Sequence, residues 1–165
     1  MPEKFRVGVI ASGRIARSHG RAFTDCDRTE IVAIADSHPD ALAEYARDFD
    51  VENQYSDYRE MLEQENLDIV VICSWNPQHA EMKVAAAAHK PRAINCEKPM
   101  ACSLGEAESM IVAAERNDVK LAISHQRRFY LCWQEARRLV QDGAIGEPRR
   151  LWTTIKQGMI NAGIH

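Results

Sequence analysis

The sequence predicts an α/β fold, a doubly wound parallel sheet with helices on both faces. Three observations carry this. Short β-rich apolar runs alternate along the chain with segments of helical spacing, the pattern of repeated βαβ units. The runs are continuous rather than alternating, as strands covered on both faces require. Helix-start signals stand just ahead of the helical segments. With 165 residues, 45% hydrophobic and 27% charged, the chain has the size of one domain with a margin and a globular composition.

The strand-like runs come in order at Val7-Gly8-Val9-Ile10, Ile31 to Ala35, Ile69-Val70-Val71-Ile72, Ala93-Ile94 and Leu121-Ala122-Ile123. Between them, Leu104, Ala107, Ile111 and Ala114 draw one apolar stripe on a helix, as do Phe129, Trp133, Ala136 and Val140. Ala85 to Ala88 is a short helical alanine run. Ser103 with Glu106 reads as a capping box, and Asp57 with Glu60 as a looser one. Asn76-Pro77 offers an N-cap followed by proline at the first helical position. Gly143 closes the helix that begins near Phe129. Right-handed crossovers then place helices on both faces of the sheet.

The tail differs from the body. Gly143 to Pro148 reads as a linker, and Arg149 to Ile155 as a strand with nothing evident in the sequence to pair with. Such a strand is a sheet edge, a dimer contact, or the first strand of a second domain.

Composition excludes several classes. Lys plus Arg is 21 and Asp plus Glu is 24, a net charge of −3, so there is no basic surplus for nucleic acid. No apolar run approaches the ~20 residues that cross a bilayer. Met1 to Arg6 leads straight into a strand-like run, with no secretory h-region. Five cysteines, an odd number without a CxxC pair, argue against a disulfide framework or a zinc site. Free thiols fit a reducing cytoplasm. Cys73 and Cys96 each end a strand and read as small buried hydrophobes.

Candidate chemistry lies where strands end, because open parallel sheets bind ligands outside their carboxyl edge. The first strand runs into Ala11-Ser12-Gly13-Arg14-Ile15-Ala16, a weakened G-x-G-x-x-G/A fingerprint with a strand before it and a helix after it. Gly13 lets the backbone approach a pyrophosphate, Ala16 lets helix and strand pack closely, and the helix N-terminus supplies N–H groups. The same residues also fit an ordinary βα turn. Asp36 ends the second strand at the place of the carboxylate that accepts from the ribose hydroxyls of NAD. Its charge disfavours a 2′-phosphate, which points to NAD over NADP. Its plainer reading is a carboxylate at the start of the next helix, before Pro39.

Three further strand ends carry polar residues. Cys73-Ser74-Trp75-Asn76-Pro77 holds Asn76, for which a cap is the simpler role, and leads to His79, for which a surface position is the simpler one. In Cys96-Glu97-Lys98-Pro99, Lys98 can donate to a substrate hydroxyl or a developing alkoxide, and Glu97 can keep it charged and oriented. The alternative is a solvated Glu-Lys pair in a loop. Gln126, Arg127 and Arg128 follow the last run, either at the ligand edge or as helix-surface residues.

Together these motifs resemble the Gfo/Idh/MocA oxidoreductases, the glucose–fructose oxidoreductase, inositol dehydrogenase and rhizopine catabolism family. The resemblance rests on Val7 to Ala16, Ala33-Ile34-Ala35-Asp36, Cys96-Glu97-Lys98-Pro99-Met100-Ala101, His125-Gln126-Arg127-Arg128-Phe129 and Ile145-Gly146-Glu147-Pro148, in that order. Pro77 to Glu81 resembles the family's Pro-x-His-Ala-Glu helix start, with Trp75 where proline is common, and Ala11 stands where the family usually has glycine.

The resemblance implies a Rossmann-type NAD(P)-binding domain over residues 1–125. A connecting helix and linker would follow over 126–148, and the start of a second α+β substrate domain, largely missing here, over 149–165. It implies NAD or NADP, of which the Asp36 charge favours NAD, and hydride transfer to or from a sugar, polyol or related hydroxy compound. Cofactor contacts would come from Ala11, Gly13, Arg14, Ile15, Asp36, Ser74, Asn76, His79, Glu97, Lys98 and Gln126. Lys98 would be catalytic, and Asn161 with His165 would match the family's Asp/Asn-x-x-x-His proton-transfer element, although fewer residues precede that element here than in the family. The whole family member would be a cytoplasmic homo-oligomer without metal, nucleic acid or membrane partners. Two alternatives remain: a nucleotide-binding fragment without turnover, and a relative that uses bound NAD to cleave glycosidic bonds.

Overall fold

The computed structural model of the chain describes residues 4–152 and residue 154. Six strands form one parallel sheet: β1 (Phe5–Ile10), β2 (Thr29–Ala35), β3 (Asn53–Tyr55), β4 (Ile69–Ile72), β5 (Ala93–Cys96) and β6 (Lys120–Ile123). Their spatial order is β3-β2-β1-β4-β5-β6. The chain therefore winds outward from β1 to β3, returns to the middle, and winds the other way from β4 to β6. β1 and β4 flank the point where the direction reverses, and a ligand crevice opens there in such sheets.

Alternation along the strands feeds two cores. Val70 and Ile72 of β4, Ile94 and Cys96 of β5, and Ile10 of β1 pack on one face with α3 (Tyr58–Gln64), α4 (His79–Ala88) and α5 (Leu104–Arg116). Val7 and Val9 of β1, Ile34 of β2 and Val71 of β4 face the other way, toward α1 (Arg14–Thr24) and α2 (Pro39–Phe49). The thiols of Cys73 and Cys96 lie within these cores, and none of the five cysteines is bridged. α1 approaches α2 closely at Gly20: a Cβ there would lie 2.6 Å from Phe49 Cζ and 2.7 Å from Tyr45 Oη.

Several expectations change. β3 lies where the apolar pattern predicts no strand: Asn53 and Gln54 are exposed and the strand occupies the sheet edge. Asn76 is no cap; it opens a 3-10 turn, Asn76–Gln78, makes no capping bond, and α4 starts only at His79. On α5, Leu104 and Ile111 of the predicted stripe are exposed, while Met110 and Ala114 are buried. The Ser103 cap forms, accepting from the Glu106 N–H, and Glu106 reaches back to the Cys102 N–H rather than to that of Ser103. Asp57 likewise caps α3, accepting from the Arg59 N–H instead of that of Glu60.

Chain contacts divide the molecule into two units, Met1–His125 and Gln126–His165. In the second, a 3-10 turn at Gln126–Phe129 leads into α6 (Leu131–Gln141), two residues later than the stripe suggests. α6 buries none of its residues, Trp133 and Val140 included, and Phe129 in the turn ahead of it is exposed as well. Gly143, at φ +71°, ends it as expected: the N–H of Ala144 donates to Leu139 O and that of Gly143 to Val140 O. Arg149 to Trp152 form no strand, having no partner ladder to satisfy their backbone; Thr153 and Ile155 lie outside the described residues.

Candidate functional site

The carboxyl edge is built stepwise. Ala11 donates to Ala35 O at 2.8 Å, Cys73 to Ile10 O at 2.9 Å, and Glu97 to Ile72 O at 2.9 Å. Each strand's exit is thus tied to the last carbonyl of its neighbour, which sets the loops after β1, β2, β4 and β5 side by side.

The loop after β1 turns sharply. Ala11 has φ +71°, the left-handed conformation that glycine adopts freely and alanine does not. Gly13 is the N-cap of α1 and caps it with no side chain, and the first turn of α1 has no acidic residue. The first-turn N–H groups therefore point outward without an acceptor. A Cβ placed on Gly13 would meet nothing within 4 Å. The chain's own packing does not demand glycine there, and the space above the helix N-terminus is open. Arg14 is exposed, Ile15 half-buried, and Ala16 fully buried where α1 meets the sheet.

Asp36 stands beside this loop. The Ser12 N–H and the Ser12 hydroxyl both donate to Asp36 Oδ2, at 2.7 and 2.6 Å. The His38 N–H donates to Oδ1 at 2.9 Å, and the His38 ring lies 3.3 Å from it. Burial pushes the Asp36 carboxyl up, but these bonds outweigh it and hold the group below the usual carboxylate range. Asp36 is therefore a fixed, ionised acceptor rather than a loose carboxylate before α2, whose N-cap is His38.

The loops after β4 and β5 are joined through His79. Its ring is fully buried, against the expectation of a surface position, with Nδ1 2.8 Å from Pro99 O and Nε2 3.0 Å from Ser74 O. Pro77 and the 3-10 turn ahead of it swing the ring inward between the two loops. Asn76 is exposed beside Trp75, which is also exposed, while the Ser74 hydroxyl is buried without a partner.

Glu97 does not pair with the Lys98 ammonium. It is buried, accepts from the Lys98 N–H at 3.1 Å, and lies 2.9 Å from His19 Nε2 of α1. Lys98 itself is exposed, and its ammonium makes no ion pair among the described residues. The solvated Glu-Lys pair is thus not formed. Nearby, burial and the Glu97 charge push the Cys96 thiol up to about 12, and burial raises Cys73 further, so neither is a thiolate at neutral pH. Gln126 opens the second unit and is exposed. Asn161 and His165 lie outside the described residues.

Ser12, His19 and His38 are site residues that spacing did not single out. Ser12 lies inside the fingerprint at a position the motif leaves free, and the His19–Glu97 contact joins residues too far apart in sequence for any local pattern to report. Among the described residues no group of His, Cys, Asp and Glu could hold a metal ion, and no helix is long and apolar enough to cross a membrane.

Residues 5–125 match the family model GFO_IDH_MocA, described as an oxidoreductase family with an NAD-binding Rossmann fold. The chain belongs to the Gfo/Idh/MocA oxidoreductase family. Among its curated relatives, a myo-inositol 2-dehydrogenase of Thermotoga maritima is 34% identical over 149 residues, 90% of this chain and 44% of the relative. A D-apiose dehydrogenase of Paraburkholderia graminis is 36% identical over 146 residues, 88% of this chain and 39% of the relative. Among solved structures, the WlbA dehydrogenase of Bordetella pertussis in complex with NADH and UDP-GlcNAcA superposes with a TM-score of 0.82 at 28% identity, covering 87% of this chain and 44% of that one. An oxidoreductase of Agrobacterium radiobacter in complex with NAD+, L-tartaric acid and magnesium gives 0.83 at 30% identity, covering 88% and 42%. The chain therefore spans less than half the length of these Gfo/Idh/MocA relatives.

Proposed function

We propose that the chain is the cofactor-holding part of an NAD-dependent dehydrogenase acting on a sugar, polyol or related hydroxy compound. The observation that carries this is the pairing of an open helix N-terminus at Gly13 with a fixed, ionised Asp36 beside it. The relatives named for inositol and apiose, and the solved relatives holding NADH and NAD+, support the same reading.

The residues fit the cofactor. The first-turn N–H groups of α1, with Gly13 to Ile15, hold the pyrophosphate, since helix N-termini bind phosphate through open donors and dipole. Asp36 accepts from a ribose hydroxyl, and its charge disfavours a 2′-phosphate, which gives NAD the preference. A bound nicotinamide supplies the hydride acceptor or donor of the reaction. Ser74, Asn76 and Glu97 belong to the loops that border the crevice, and Gln126 lies just beyond β6. His79 fixes two of those loops in place. Lys98, free of Glu97, donates to the substrate oxygen as charge develops there. Asn161 and His165 supply the proton-transfer element, with His165 as the acid/base. A cytoplasmic setting belongs to the same proposal and is supported by five unbridged cysteines.

Titrating the 165-residue chain with NADH and with NADPH tests this, reading energy transfer from Trp75, Trp133 and Trp152. Saturable binding that favours NADH is the expected result. Binding of neither nucleotide would remove the proposal. Lys98→Ala should retain NADH binding and lose whatever turnover the protein has; unchanged turnover would remove Lys98 from the chemistry.

A further inference from the structure

We infer that Ser12 is a positioning residue that sets the nucleotide preference, by locking the Asp36 carboxylate in the orientation that admits a ribose hydroxyl and excludes a 2′-phosphate. The inference rests on the cofactor reading above and adds to it a residue whose place in the fingerprint carries no assigned role.

The geometry is specific. Ser12 presents two donors, its N–H and its hydroxyl, to a single oxygen, Asp36 Oδ2, at 2.7 and 2.6 Å. Two donors fill the lone-pair directions of that oxygen. Oδ1 is then the atom with room for a ligand. Its firm partner is the His38 N–H at 2.9 Å; the His38 ring is further off at 3.3 Å, and that side chain is 83% exposed. An incoming hydroxyl can displace the exposed ring without breaking any buried bond.

Rotation of the carboxylate is a different matter. Ser12 is 2% exposed, and Asp36 is the partner its hydroxyl has. Turning Asp36 aside for a 2′-phosphate would break both bonds to Oδ2 and strand a buried hydroxyl and a buried N–H, which costs more than their bonds alone contribute. The conformation of the preceding residue adds to the lock. Ala11, at φ +71°, turns the chain so that the Ser12 N–H faces Asp36. Asp36 alone would be a charge that can move; Asp36 held by Ser12 is a charge in a fixed place.

The test compares NADH and NADPH dissociation constants for the full 165-residue chain and its variants. Ser12→Ala should cut the preference for NADH about tenfold, mainly by tighter NADPH binding, because one charge-assisted bond is removed and only backbone N–H groups are left to hold the carboxylate. Ser12→Thr, which keeps the hydroxyl, should restore the preference. In an Asp36→Ala background, Ser12→Ala should change neither constant, since there is no carboxylate left to hold. Ser12→Cys carries the same test if Ser12→Ala does not fold, with an intermediate preference expected from a weaker donor. Equal weakening of both nucleotides by Ser12→Ala, or the same shift with and without Asp36, would overturn the inference and leave the cofactor reading intact. A wild-type chain that binds neither nucleotide would overturn both.

Discussion

Asp36 and Lys83 are both ionisable side chains withdrawn from water, and the chain surrounds them in opposite ways. Asp36, at the exit of β2, receives donors from Ser12 and His38. Lys83, on α4, is fully buried, and its Nζ has no hydrogen-bond partner. Burial pulls the Lys83 ammonium down to about 8. Donors gather around the Asp36 carboxylate. On α4, the more deeply buried Lys83 ammonium has none. The carboxyl edge is organised ahead of any ligand, and Lys83 is a liability that nothing in the structure explains.

The largest effect should come from removing that liability. Lys83→Met keeps the volume and deletes the buried ammonium, and should stabilise the chain by about 3 kcal/mol at pH 7 in urea unfolding. The sign follows from a folded pKa below the unfolded one. The penalty is fully present below about 8 and fades as pH rises toward the unfolded value of 10.5. The gap between variant and wild type should therefore close by pH 10.5. Comparing the two at each pH cancels the cysteines and tyrosines that titrate in the same range. A gap that stays constant with pH would mean that the Lys83 ammonium keeps its unfolded pKa in the folded chain, as it would if it found a partner.

Removing the satisfied charge should act in the other direction. Asp36→Ala leaves the Ser12 and His38 donors without their acceptor and should cost about 1–3 kcal/mol at neutral pH. Because the Asp36 carboxyl is held below 3.8, its contribution is complete above that value and is lost as pH falls through the folded one. The cost of Asp36→Ala should then shrink in acid unfolding. The same variant should relax the preference for NADH over NADPH.

The smallest effect sharpens the comparison at the loop that holds Asp36. Ala11→Gly relieves a left-handed alanine at the cost of a freer unfolded chain, for a net gain of about 0.5–1 kcal/mol in thermal unfolding. Loss of stability would mean that the alanine methyl packs usefully despite its backbone conformation.

The sheet was readable because five of its strands are short apolar runs, although only β1, β2 and β4 feed both cores and β6 leaves Lys120 and Ala122 exposed. β3 was not, since Asn53-Gln54-Tyr55 is a polar edge piece whose pairing with β2 is set by the fold and not by its own residues. On α5, periodicity found the helix and the buried Ala114 but missed the buried Met110, and it placed the exposed Leu104 and Ile111 on the stripe. The amphipathic stripe of α6 is equally regular and buries nothing, so a stripe announces a helix without supplying its partner. In the site, Gly13 and Asp36 were legible because their spacing reflects one βαβ unit. The bonds from Ser12 to Asp36 and between His19 and Glu97 were not, because they join residues that only the folded sheet brings together.

The His79 ring, wedged between Ser74 O and Pro99 O, makes two loops into one mechanical part. Neither the segment carrying Trp75 nor the one carrying Lys98 can lift away without pulling on the same imidazole. Their amides should accordingly exchange with deuterium through one shared opening, at matching rates, and not as two independently fraying turns. The gap between those loops is in effect gauged by the width of a single side chain, so a change of residue at His79 would resize the crevice mouth through Ser74 and Pro99.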